Sequence, residues 1–359
     1  MKAVVRRNST LVDTDMAEPV PGEGQVLVKT LVCGICGSDL HALHHLDHMV
    51  AMTRRAGGND TIDPASDMVF GHEFSAEILD FGPGCERLLK AGTPVVSMPA
   101  AIGPLGSELV GYSNRFPGGF AEQMVLQEAL LLPVPNGLDA ERAALTEPMA
   151  VGEHAVASAN ITAQSVALVI GCGPVGLSVI AALKARGVGP VIATDLSAAR
   201  RAAAERLGAD IVLNPREHSP HDRWEGFDVP ATLASFGAAR LLGRSVRDAV
   251  IFECVGVPGM LQNLIENVPP TAQIMVVGVC MESDSIEPSL AINKQLDLKF
   301  VFGYAPEEFA ATLHAIAEGQ RDVTPIISGV VGRSEVADAF ADLAKGGDCI
   351  KMLVDPSRA

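Results

Sequence analysis

The chain is predicted to fold as an α/β protein in two parts: a doubly wound parallel sheet and a β-rich domain of irregular strands. Three observations predict this. Apolar runs of strand length alternate with helical patterns through the second half of the chain. Short β-branched runs broken by Gly and Pro fill residues 1–135. After Gly303 the pattern returns to helix–strand–helix. The expected boundaries are 1–148 with 303–359 for the β-rich domain and 149–302 for the parallel sheet.

In chain order, residues 25–32 and 93–97 read as strands, and Pro133, Pro135 and Gly137 close the first part. Asp139 is a suitable N-cap for a helix opening at residue 140. Residues 166–170 form a fully apolar strand, followed by a helix over 175–186, a strand at 191–194 and a helix over 197–207. Further strands are read at 211–213, 249–252 and 273–277. In the tail, Pro306 starts a helix running to residue 318, and residues 350–354 form the last strand.

Composition narrows the function classes. The chain has 359 residues, 48% hydrophobic and 19% charged, which describes a folded protein with a large core. Its net charge of −16 repels phosphate backbones and anionic lipid heads, and 4% aromatic residues are too few for a base-stacking platform. No nucleic-acid or membrane partner is expected. Seven cysteines, odd in number and irregular in spacing, do not form a disulfide framework. With no signal-peptide pattern at Met1–Arg7, the expected location is the cytoplasm.

The strand at 166–170 runs directly into Gly171-Cys172-Gly173-Pro174-Val175-Gly176, which opens a helix. Asp195 ends the next strand, 24 residues after Gly171. This is the dinucleotide fingerprint of a Rossmann fold. Gly171 makes the tight turn, Gly173 lets a pyrophosphate approach the backbone, and Gly176 lets helix and strand pack; the helix N-terminus attracts the phosphates. Asp195 suits a ribose with free hydroxyls and repels a 2′-phosphate, which favours NAD. Arg200 or Arg201 nearby would weaken that preference.

The first part contains Cys33-Gly34-Ile35-Cys36-Gly37-Ser38-Asp39-Leu40-His41, then Gly71-His72-Glu73, then Thr146-Glu147-Pro148. A thiolate, an imidazole and a carboxylate give three protein ligands and leave zinc an open fourth position, the hallmark of a catalytic rather than a structural site. With these motifs in this order, the chain resembles the medium-chain dehydrogenase/reductase family, in its zinc-dependent alcohol and polyol dehydrogenase branch. The resemblance covers essentially the whole chain. It implies a GroES-like catalytic domain around an inserted Rossmann domain, with zinc between them.

What the resemblance implies for residues is specific. Cys36 and His72 would ligate zinc. Glu147 stands at the family's third ligand position and is favoured over the adjacent Glu73. Ser38 matches the hydroxyl that meets the substrate oxygen, and His41 the outer end of its proton relay. Asp39 would orient His72. Val277, Gly278 and Val279 fall where backbone meets nicotinamide, and Lys351 where a basic residue meets the pyrophosphate. A homodimer or homotetramer is implied.

Two departures from the family stand out. Residues 98–119 contain no cysteine, so no structural zinc is expected and the count is one catalytic zinc. Cys36 and His72 lie 36 positions apart, and the extra length is read as a loop over 44–68, either a lid or specificity element or an insertion that packs on the surface or at a subunit contact. His44, His45 and His48 are expected as exposed loop residues, and Cys33 as buried. Residues 215–248, which include Trp224, carry no functional reading. The expected function is hydride transfer between an alcohol, or its carbonyl product, and NAD. The alternatives are a zinc-free quinone or enone reductase and a non-catalytic NAD-binding protein.

Overall fold

In the computed structural model, which describes residues 1–359, two stretches of chain build one unit, Met1–Glu147 and Phe309–Ala359, and Pro148–Glu308 builds the other. The return crossing falls at 308/309 rather than near 303, because the helix Pro306–Ala317 continues through it.

The sheet of the first unit has the spatial order Ile327–Val331, Lys351–Val354, Gln25–Gly34, Glu73–Phe81, Pro94–Ser97, Leu131–Pro133, with Gln123–Gln127 also paired to Gln25–Gly34. Its register matters for function. Gly34 is opposite both Glu73 and Leu353, and Cys33 is opposite Phe74 and Val354. The end of one strand, the start of a second and the start of a third therefore converge. Gly34 is required there, since any Cβ would collide with the Glu73 carboxylate.

The chain leaves Gly34 into helix α1, Gly37–Arg55. The loop expected from residue 44 is thus corrected: Ala42, Leu43, Leu46 and Val50 recur at helical spacing and are buried, while His44, His45, Asp47 and His48 occupy the exposed face. The histidines are exposed as expected, but on a helix. The remaining segment to residue 68 is stapled down. Arg6 donates to Pro64 O at 2.8 Å, Asn59 Nδ2 to Leu105 O at 2.6 Å, and Asn114 accepts from Asp63 N–H at 2.6 Å and donates to Asp67 O at 3.2 Å. These bonds favour the surface-insertion reading over a lid. Helix α2 begins at Thr146 and runs to Ala157, carrying Glu147 in its first turn and leaving the first unit at Pro148.

The second unit is a six-stranded parallel sheet: β1 Val166–Ile170, β2 Val191–Thr194, β3 Ile211–Leu213, β4 Ala249–Glu253, β5 Gln273–Val276 and β6 Asp297–Phe300. The order 3-2-1-4-5-6 is that of a dinucleotide-binding sheet, with its switch point between β1 and β4. Helices α3, Pro174–Ala185, and α4, Ala198–Arg206, follow β1 and β2. Within residues 215–248 a 3₁₀ segment, Pro220–Phe227, and a helix, Leu233–Leu241, bring Trp224 into the core with Leu168, Ile170 and Ile251. Its indole is 1% exposed, so this stretch closes one end of the sheet's apolar face.

Candidate active site

The strand register brings Cys36, His72 and Glu73 together, with one donor atom from each lying within 4.8 Å of the others. Cys36 is the N-cap of α1. Asp39, in the first turn, is fully buried and accepts the Cys36 backbone N–H at 3.0 Å through Oδ2. Its other oxygen faces His72 Nδ1 at 3.6 Å, beyond hydrogen-bond reach, and that buried ring nitrogen has no hydrogen-bond partner. Burial pushes the His72 imidazolium down, but the charges of Asp39 and Cys36 outweigh it and hold the group well above the usual histidine range. The pocket thus concentrates negative charge around a soft sulfur, a nitrogen and a carboxylate. That donor set and the unpartnered ring nitrogen fit zinc.

Glu147 is not among the gathered donors, contrary to the sequence preference for it over Glu73. Its carboxylate lies close enough to raise the Lys351 ammonium electrostatically. Glu73, by contrast, is fully buried beside the thiol and imidazole.

Lys351 is also placed differently from expectation. It is 1% exposed, and its Nζ donates to Glu73 Oε1 at 2.8 Å, Glu73 Oε2 at 2.5 Å and Ile35 O at 2.9 Å. An ammonium has three hydrogens, and all are used. The pyrophosphate contact expected of Lys351 is therefore not available in this geometry. The residue holds the Glu73 carboxylate instead.

Ser38, partly exposed, lies one turn-residue beyond Gly37 in α1, and His41 is exposed one turn further on. Burial, and then the charge of His45, lower the His41 imidazolium below its usual range. Tyr112 is a site residue that the sequence reading missed. Its hydroxyl stands 2.8 Å from Asp39 Oδ1 and 3.1 Å from Ser38 Oγ, and its ring packs 5.4 Å from that of His72. Burial and the Asp39 charge hold the phenol well above its usual range, so it stays protonated. One available signal was that the chain has only two tyrosines, one of them in a Gly-rich turn.

Residues 98–119, which contain no cysteine, include a hairpin of Ala100–Gly103 and Gly106–Leu109. Buried Glu108 accepts from Ser113 Oγ at 2.6 Å, and Arg115 stands 3.4 Å away. A single buried carboxylate organises this turn.

In the second unit the glycine loop leaves β1. Gly171 has φ +89°, a left-handed conformation that favours glycine, and a Cβ on Gly176 would collide with the Gly171 carbonyl. A Cβ on Gly173 would meet nothing, so its face is open toward the N-terminus of α3, where Pro174 and Val175 begin the helix. This space suits a pyrophosphate. Asp195 follows β2; its Oδ2 accepts from Cys172 N–H and its Oδ1 from Ser197 N–H, both at 2.8 Å. The carboxylate is thereby locked beside the loop. Arg201 is committed to the Asp195 and Leu196 carbonyls at 2.9 Å, whereas Arg200 exerts its charge on Cys172. Val277, Gly278 and Val279 follow β5; Val277 and Gly278 N–H donate to Glu253 O at 2.9 and 2.8 Å, and Val279 is exposed. Gly171, Asp195 and the 277–279 turn thus all follow the carboxyl ends of their strands, where nucleotides bind in such sheets.

Comparison with known proteins defines the class. Residues 22–136 match the alcohol dehydrogenase GroES-like domain and residues 174–318 the zinc-binding dehydrogenase domain. The chain is 32% identical over 349 residues to (R,R)-butanediol dehydrogenase of Bacillus subtilis, covering 95% of both proteins. It is 27% identical to sorbitol dehydrogenase of the same organism, covering 100% of this chain and 98% of that one. The crystal structure of 2R,3R-butanediol dehydrogenase from Bacillus subtilis superposes with a TM-score of 0.78 at 30% identity, covering 99% of each chain. The chain belongs to the zinc-type alcohol and polyol dehydrogenase family and is an oxidoreductase of that family. No helix is long and apolar enough to cross a membrane.

Proposed function

We propose that this protein oxidises a small secondary alcohol or vicinal diol with NAD, reversibly, at one zinc held by Cys36 and His72 with Glu73 as the carboxylate donor. The gathering of thiol, imidazole and carboxylate in a buried, negatively charged pocket carries this reading. When bound, zinc supplies Lewis acidity and the nicotinamide supplies the hydride acceptor. The chain's own part is positioning and proton handling. Ser38 takes the hydroxyl proton of the substrate as it gives up its own hydrogen, and His41, on the exposed side of α1, passes that proton to solvent. Lys351 holds the Glu73 carboxylate in place through both of its oxygens. A zinc-free enone reductase has no use for this donor set, and a non-catalytic nucleotide-binding protein has none for Ser38 and His41. Reduction of NAD with a panel of secondary alcohols and diols tests the reading; enone reduction in place of alcohol oxidation would replace it.

The position of Asp195 supports NAD over NADP. Asp195→Asn keeps one acceptor and removes the charge. It is expected to raise KM for NAD and to cut the discrimination against NADP by about tenfold, the cost of a charge-assisted hydrogen bond. Steady-state kinetics with both nucleotides check this; a wild type that already prefers NADP would assign the pocket to Arg200.

The relay role of His41 predicts a pH signature. Only the neutral imidazole accepts a proton, so turnover rises with pH through its pKa. Because that pKa lies below the usual histidine range, the acid limb should fall below about 6.5. In His41→Ala the limb disappears, turnover drops at most about 100-fold, and added buffer base restores part of it. Identical profiles for variant and wild type would make His41 a surface residue.

The exposed edge strand β6, with Phe300 71% exposed and Phe302 just past its end 92% exposed, supports assembly into a homodimer or homotetramer. Seven cysteines that form no disulfide support a reducing compartment such as the cytoplasm.

A further inference from the structure

We propose that helix α1 carries a second, labile site for a divalent transition-metal ion, formed by His41 and His45, and that an ion bound there closes the proton exit. The site is separate from the zinc centre at Cys36 and His72. Its effect on turnover rests on the relay role given to His41 above.

Helical spacing brings the donors together. His41, His44, His45 and His48 are exposed on α1, while Ala42, Leu43, Leu46 and Val50 are buried and hold the helix to the core. In a loop such histidines have no fixed relation. On a helix, side chains four apart stand over one another with Cβ atoms about 5–6 Å apart, and two histidines so placed can bind one ion. Two pairs have this spacing, 41 with 45 and 44 with 48. The backbone distinguishes them. His45 is the one non-helical residue inside α1, with φ −122° and ψ 27°. Residues 42–44 are helical, so the first pair keeps its turn, whereas the kink falls between the members of the second.

The two rings are close enough for the charge of His45 to act on His41. Burial, and then that charge, lower the His41 imidazolium, so the ring is neutral at neutral pH. A neutral imidazole has one nitrogen with a lone pair and one with a hydrogen. Each ring gives its lone pair to the ion and displaces one bound water, and no proton has to leave first. Nitrogen donors of this kind select zinc, nickel or copper over magnesium or calcium. No thiolate or carboxylate is gathered with them, so the ion is held more weakly than at Cys36 and His72 and exchanges with solution. With its lone pair on the ion, His41 has nothing with which to accept a relayed proton.

The test adds excess zinc ion to tag-free enzyme whose Cys36–His72 site is already filled, at about pH 8, above the imidazole range. Turnover should fall to a plateau rather than to zero. The plateau should equal the residual rate of His41→Ala, at most about 100-fold below wild type, and a mild chelator should restore the rate. His45→Ala should match wild type without added zinc and should resist the excess. The double variant His44→Ala/His48→Ala should be inhibited as wild type is. A readout independent of turnover is calorimetric titration of zinc into the filled enzyme. Wild type should show one weak binding event per chain, absent from His41→Ala and from His45→Ala. All four histidines are exposed, so these variants should fold. No weak event, equal inhibition of wild type and His45→Ala, or a fall to zero would overturn the proposal. Resistance in His44→Ala/His48→Ala would overturn it too, moving the ion to the second pair, as would binding that leaves turnover unchanged. A His41→Ala enzyme with the wild-type rate and pH profile would overturn the relay reading and the inhibition with it. A slowed His41→Ala enzyme beside a wild type that ignores added zinc would overturn the inference alone.

Discussion

Cys36→Ala is expected to leave a folded protein that holds no zinc at the site and shows no measurable alcohol oxidation. The sulfur is the only soft donor of the gathered set, and removing it leaves an imidazole and a carboxylate already paired with Lys351. Two such donors hold zinc poorly. Without the Lewis acid, a neutral alcohol must lose its proton to Ser38 unaided, against a pKa difference that no hydroxyl relay overcomes. Folding should survive because Cys36 is only partly buried and caps α1 through its backbone, where the N–H bonds Asp39. Metal analysis, circular dichroism and a single-turnover assay check the three parts. Retained zinc with lost activity would move the metal to other donors.

Lys351→Met is expected to have the largest effect on stability. Both members of the Lys351–Glu73 pair are 1% exposed. Removing the ammonium leaves a carboxylate buried without its main partner, a loss of about 3–5 kcal/mol for a pair of this kind. The double variant Lys351→Met/Glu73→Gln should regain much of this, since neither charge is then stranded. Zinc should also offset part of the loss in the single variant by answering the Glu73 charge, so the full effect belongs to metal-free protein. The sign of the pH dependence follows from Lys351. Burial pushes its ammonium down, but the charge of Glu73, and then that of Cys36, outweighs burial and raises it above the usual lysine range. Its stabilisation is therefore complete below the unfolded lysine value of about 10.4 and is lost only as pH rises through the higher folded value. Denaturant unfolding of wild type and both variants at neutral and strongly alkaline pH checks this; equal stabilities at neutral pH would contradict it.

The nucleotide half of the protein was largely legible in the sequence, and the reason is burial. Strands β1, β2, β4 and most of β5 are covered on both faces, so each is a continuous apolar run. Strand β6 escaped notice because Asp297-Leu298-Lys299-Phe300 lies at the sheet edge and is mostly exposed. Helix α1 escaped because four of its residues between His41 and His48 are histidines, which masked the buried face of Ala42, Leu43, Leu46 and Val50. The thiol–imidazole pair was legible from local motifs. Its surroundings were not. Glu73 was displaced in rank by Glu147, and Lys351 was placed at the pyrophosphate, because both depend on a register that joins residues 34, 73 and 353 across most of the chain. No local periodicity encodes such a register. Tyr112 was missed for the same reason: its partners Ser38 and Asp39 lie more than 70 positions away.

The central claim is that alcohol oxidation depends on one zinc per chain at the Cys36–His72 site. The most direct test is to strip the purified protein with a chelator and titrate zinc back while following NAD reduction with a secondary alcohol. The account predicts no activity in the stripped protein and a linear recovery that breaks at one zinc per chain. Activity that persists without metal, or a recovery that breaks only at two, would contradict it.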